Sequence, residues 1–187
     1  MVELIEILDL VRWGLLFAAV IYSAYTDMVQ GRVSNTVSFG GMAAGLGLHY
    51  AAHGWSAAAG PALLPGLACA LSGLAWGLGL FVIPYVLGGL SAGDVKLMGA
   101  VGALGGYPFI LPAIFFTVTA GAVLALSVLI WKGRLLAGLG RSLRLLLHPK
   151  SLRATNGLPG DERTPINYAV AIAVGSVAAF IAQALGP

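Results

Sequence analysis

Charge is too scarce in this chain to cover a water-soluble domain. Of its 187 residues, 9% are charged and 59% are hydrophobic. Soluble domains are about one quarter charged and about half apolar. Disordered chains lean the opposite way, toward charge and away from apolar residues. The remaining class is a polytopic membrane protein of all-α type, in which every charged side chain needs a reason for its position.

Polar residues, glycines and prolines divide the sequence into apolar spans. A bilayer core of about 30 Å needs about 20 apolar residues per helix. The spans run from about Leu10 to Thr26, from about Val37 to Ala52, and from near Pro61 or Leu64 to about Leu87. A short segment from Val95 to about Gly105 follows the break Ser91-Ala-Gly-Asp94. Two further spans cover about Tyr107 to Trp131 and about Ile166 to Leu185. Six helices result, and the fourth is short enough that its preceding turn must lie within protein or a water-filled cavity. The whole chain, 1–187, reads as one integral-membrane domain.

The net charge of +3 serves orientation rather than an anionic partner such as nucleic acid. Lys132, Arg134, Arg141, Arg144, Lys150, Arg153 and Arg163 lie between spans five and six. Arg32 follows span one and Lys96 follows the break before segment four; Arg12 is the exception. With six spans those loops share one face, which the positive-inside rule makes cytoplasmic. Both termini are then expected outside. The acidic start, Glu3, Glu6 and Asp9, lacks the basic region of a cleavable signal, so span one is expected to be retained. In the loop of about 132–164, residues 134–147 place three arginines near one helical face among leucines, the pattern of an interfacial helix on the cytoplasmic leaflet.

Seven acids remain to be explained. Glu3, Glu6, Asp9, Asp161 and Glu162 fall in polar segments where water can solvate them. Asp27 and Asp94 do not: they sit at the cytoplasmic ends of their helices, at one membrane depth but 67 positions apart. Two close carboxylates cannot both ionise freely, so they share a proton. One can then act as general base on water while the other, protonated, polarises a carbonyl. The residues alone leave two other readings open. Asp94 could simply cap segment four, or the pair could relay protons in a small carrier.

The surrounding motifs resemble a known family. Gly88-Gly-Leu-Ser-Ala-Gly-Asp94 is similar to the Gly-x-Gly-Asp box of intramembrane aspartyl proteases, and the following Val95-Lys-Leu to that of type IV prepilin peptidases. Asp27-Met-Val-Gln-Gly-Arg32-Val-Ser-Asn35 resembles that family's aspartate, five residues, then Ile-Pro-Asn. Pro165-Ile-Asn-Tyr168-Ala-Val-Ala-Ile172-Ala-Val-Gly175 resembles its C-terminal Pro-Tyr element, with Ile166 and Asn167 inserted. Ser91 and Ser34 depart from the usual glycine and proline.

The resemblance implies a peptidase that removes the short basic leader of prepilins or pilin-like proteins at the cytoplasmic membrane face. Asp27 and Asp94 would be catalytic, and Gly93, Ser91, Lys96 and Asn35 would shape the site. At position 93 a Cβ would crowd an extended substrate. Lys96 fits better as a residue marking the membrane boundary. Only Cys69 is present, so the cysteine-rich zinc domain of larger members is absent. The short branch serving Flp-type pili is implied, with cleavage but no S-adenosylmethionine-dependent methylation, and without cofactor. Archaeal preflagellin peptidases are the nearest alternative.

Other signals fit ordinary roles. His49 and His53 share a helical face but have no third ligand, so they read as interfacial histidines rather than a metal site. The glycine run 99–106 and the pairs Gly41/Gly45 and Gly73/Gly77 read as close helix packing. Trp13, Trp55 and Trp131 suit an aromatic belt, with Trp76 packed inside span three.

Overall fold

In a computed structural model, residues 2–53, 66–131 and 167–186 are described. They form six helices and no strand: α1 (Val2–Gln30), α2 (Asn35–His53), α3 (Leu67–Val86), α4 (Ala92–Gly105), α5 (Ile110–Trp131) and α6 (Tyr168–Leu185). By length and composition, α3, α5 over Ile110–Val128, and α6 can cross a membrane. Large apolar side chains such as Tyr25, Val86, Phe115 and Ile130 point outward, as expected where lipid replaces water. The helix expected at 134–147, Trp55, Asp161 and Glu162 lie outside the described residues.

The architecture is arranged around α4. At 14 residues it is about 21 Å long, too short for a bilayer core of about 30 Å. It is instead enclosed by protein: from Asp94 to Gly105 every residue except Lys96 is buried. All five other described helices contact it, α3 and α2 most extensively.

Glycine makes that enclosure close enough to exclude lipid. Gly73 of α3 and Gly102 of α4 face each other backbone to backbone, and a Cβ on either would run into the other strand of chain. A Cβ on Gly77 would stand 2.5 Å from the Met98 carbonyl oxygen, and one on Gly45 the same distance from the Ala103 carbonyl carbon. These are the small-residue contacts expected from the spacing, and they suit a medium in which helices associate by packing. Leu16 and Val20 of α1, Leu97, Met98, Val101 and Leu104 of α4, and Ile172 of α6 complete the core.

Several expectations are corrected. The first helix starts at Val2, not near Leu10, so Glu3 occupies its first turn, where carboxylates favour the dipole. Asp9 is not simply solvated: its carboxylate pairs with Arg12 at 3.1 Å. His49 is buried, 5% exposed, rather than interfacial. Trp13 is no belt residue; it meets the rings of Phe109 and Phe180 edge-on at 4.8 and 4.9 Å. Trp76, expected to pack inside, is 46% exposed. Hydropathy ranks all of these residues by class and carries no record of which side of a helix meets protein.

Candidate active site

Helix termini carry unpaired backbone groups, and at one end of this bundle those groups are met by aspartates. Ser91 is the N-cap of α4, in extended conformation. Its hydroxyl accepts from the Asp94 amide at 3.2 Å. In return Asp94 Oδ2 accepts from the Ser91 amide at 3.0 Å and from the Ser91 hydroxyl at 2.8 Å. This reciprocal pattern is a capping box. The capping role set out above as an alternative for Asp94 is therefore present, and Asp94 fills it while only 4% exposed.

Asp27 reaches a helix terminus of a different kind. It lies in the last turn of α1, which stops where the Gly31 amide donates to the Asp27 carbonyl at 2.9 Å and Gly31 adopts a φ of 63°. That left-handed conformation favours glycine at a helix end. The Asp27 side chain extends to α6, where Oδ2 accepts from the Ala169 amide at 3.3 Å, across 142 positions of sequence. The end of α1 and the starts of α4 and α6 thus converge.

At this convergence Asp94 senses the charge of Asp27. Tyr168, the first residue of α6, senses Asp94 in turn. Its ring lies against Gly121 of α5, where a Cβ would collide with it, and 6.1 Å from Phe81 of α3. Tyr168 was visible in the C-terminal motif, but its neighbourhood to Asp94 was not assigned from the sequence; that motif was the available signal.

The remaining predicted site residues make contacts of their own around the starts of α2 and α4. Lys96 Nζ donates to Asn35 Oδ1 at 3.1 Å and lies 5.0 Å above the Phe39 ring. It clasps the start of α2. A Cβ at Gly93 would stand 3.0 Å from Val33 Cβ, so this glycine admits the α1–α2 connection close to α4. At Ser34 the carbonyl accepts from the Ser38 amide at 3.2 Å and the Ser38 hydroxyl at 3.3 Å, setting the first turn of α2. Arg32 is exposed.

Chemically, the site offers two acids from different helices, one deeply buried, held by neutral donors. Among the described residues no group of three or more His, Cys, Asp or Glu side chains is placed to hold a metal ion. A family model described as the type IV leader peptidase family matches residues 14–126, more than half the chain and both aspartates. No curated protein and no solved structure matches the chain.

Proposed function

Because the chain belongs to the type IV leader peptidase family, we propose that it is an aspartic endopeptidase with Asp27 and Asp94 as its catalytic pair. Its substrate is a prepilin or pilin-like protein, cut after a short basic leader at the cytoplasmic face of the inner membrane. The observation that carries this reading is a meeting of helix ends: the end of α1 with Asp27 joins the start of α6 through the Ala169 amide, and Val33 just beyond it lies against Gly93 beside Asp94.

The chemistry needs only that pair and water. The ionised carboxylate takes a proton from water as the oxygen attacks the scissile carbonyl, while the protonated carboxyl donates to the carbonyl oxygen. Collapse of the tetrahedral intermediate breaks the C–N bond, and the amine leaves with a proton from the pair. A leader followed by an apolar helix would present its peptide bond at the bilayer boundary, where the positive-inside assignment puts both acids.

The test is cleavage by the purified protein of a prepilin and, in parallel, a preflagellin substrate. Wild type is expected to release the shortened prepilin, and neither Asp27→Asn nor Asp94→Asn to do so. A wild type that leaves both substrates intact, or Asn variants that cut normally, overturns the proposal. Preference for the preflagellin would move the substrate assignment and leave the chemistry standing.

A further inference from the structure

The geometry points to Ser91 as a positioning residue: its hydroxyl, held by the Asp94 amide, fixes the Asp94 carboxylate through Oδ2. This deepens the peptidase reading and rests on it. The family's box usually has glycine at this position, so the hydroxyl is a feature of this chain.

Two donors from Ser91, the amide at 3.0 Å and the hydroxyl at 2.8 Å, converge on the same oxygen, Asp94 Oδ2. The shorter of the two is an O–H donor to a carboxylate, the stronger class of hydrogen bond. The Asp94 amide donates back to Ser91 Oγ at 3.2 Å, so the hydroxyl is held from both sides and its proton has a defined direction. With Oδ2 engaged twice, the carboxylate cannot rotate freely, and Oδ1 is the oxygen left to face water or substrate.

Donors to a carboxylate favour its charged form. Among the described residues Asp27 from α1 acts on Asp94, and Asp94 acts on Tyr168 from α6. Lys96 on the same helix is engaged with Asn35 of α2. Neither Asp27 nor Tyr168 supplies a positive charge, so among the described residues the Ser91 contacts are the side-chain and amide donors that stabilise an ionised Asp94.

Substituting Ser91 separates this role from helix capping, because glycine serves as an N-cap nearly as well as serine while alanine does not. The experiment measures kcat, KM and the pH–rate profile for the full-length protein acting on a prepilin substrate. Ser91→Gly and Ser91→Ala are expected to lower kcat about tenfold at unchanged KM. The limb of the profile that depends on Asp94 should move up by about one pH unit, since loss of one charge-assisted donor is worth about that much. The direction is the same whether Asp94 acts as base or acid. Ser91→Thr, which keeps the hydroxyl, should restore both values.

If Ser91→Gly matches wild type and only Ser91→Ala is impaired, the residue is a cap alone and the inference is overturned. A wild type without cleavage overturns the peptidase reading instead. In that event a ¹³C-carboxyl titration of Asp94 still decides the local point: equal titration in wild type and Ser91→Gly overturns it, and a shift to higher pH in Ser91→Gly upholds it.

Discussion

The two ends of α4 solve one problem with opposite charges. At its N-terminus the free amides meet Asp94 and Ser91. At its C-terminus Arg12 of α1 donates from Nη1 to the Leu104 carbonyl at 3.0 Å and the Gly105 carbonyl at 3.2 Å. Each charge suits the dipole at its end, but the ends differ in what is left over. Arg12 also donates from Nε to Asp9 at 3.2 Å, meets His49 Nε2 at 3.1 Å, and lies 4.8 Å above the Trp13 ring. Since guanidinium only donates, His49 Nε2 accepts there. Charge is matched and the donors are spent, which describes an anchor. At the other end the partners of Asp94 and Asp27 among the described residues are the neutral donors of Ser91 and Ala169, an arrangement costly to keep unless it is used.

The largest effect should come from breaking the uncompensated end. Asp27→Asn and Asp94→Asn are each expected to reduce cleavage by at least about 10³-fold, the upper part of the range for acid–base groups. Circular dichroism should find both variants folded, because asparagine can still accept from the Ser91 or Ala169 amide. The compensated end should respond in the reverse sense. Arg12→Gln leaves two buried carbonyls and the Asp9 carboxylate short of a donor, at a cost of about 2–4 kcal/mol. Thermal unfolding in detergent should show that loss, with cleavage per folded molecule close to wild type. If Arg12→Gln instead removes activity at unchanged stability, the division between anchor and site is wrong.

How far this division could be read from the sequence depends on the distance over which its parts pair. Helix bounds were legible because glycine, proline and polar residues interrupt apolar runs locally; five of the six described helices both start and stop within a few residues of the expected spans. The aspartates were legible by elimination, as the only acids without a polar segment around them. The Asp9–Arg12–His49 group was not. Its contacts join residues 37, 92 and 93 positions apart, and no local pattern encodes such pairings. One trace existed: Arg12 is the only basic residue that the expected topology leaves off the cytoplasmic side, and capping α4 accounts for it. The outward face of Trp76 was equally illegible, since hydropathy does not distinguish lipid from protein as a neighbour.

A substitution in the middle of α4's packing should affect both ends together. Gly77→Ala would set a methyl group 2.5 Å from the Met98 carbonyl oxygen, forcing α3 and α4 apart at a cost of about 1–3 kcal/mol. Because α4 carries Asp94 at one end and the Arg12 acceptors at the other, cleavage and melting temperature should fall together. A drop in one without the other would mean that the ends move independently and α4 is not the rigid link between them.

The smallest effect is expected at the rim, where Lys96 and Asn35 meet 3.1 Å apart in an exposed position. Both were candidates for shaping the site, yet the Lys96 ammonium is engaged on α2, over the Phe39 ring and with Asn35. Solvent-exposed polar contacts of this kind contribute about 0–1 kcal/mol. Lys96→Met and Asn35→Ala should therefore each change stability by less than about 1 kcal/mol. The double variant should be no worse than the poorer single one, because the second change removes a contact already lost. Cleavage should stay within about threefold of wild type, a difference of under about 0.7 kcal/mol. A pH profile displaced in Lys96→Met would show that the ammonium reaches the aspartates electrostatically. The active end would then hold a compensating cation after all, and its contrast with the Arg12 end would narrow.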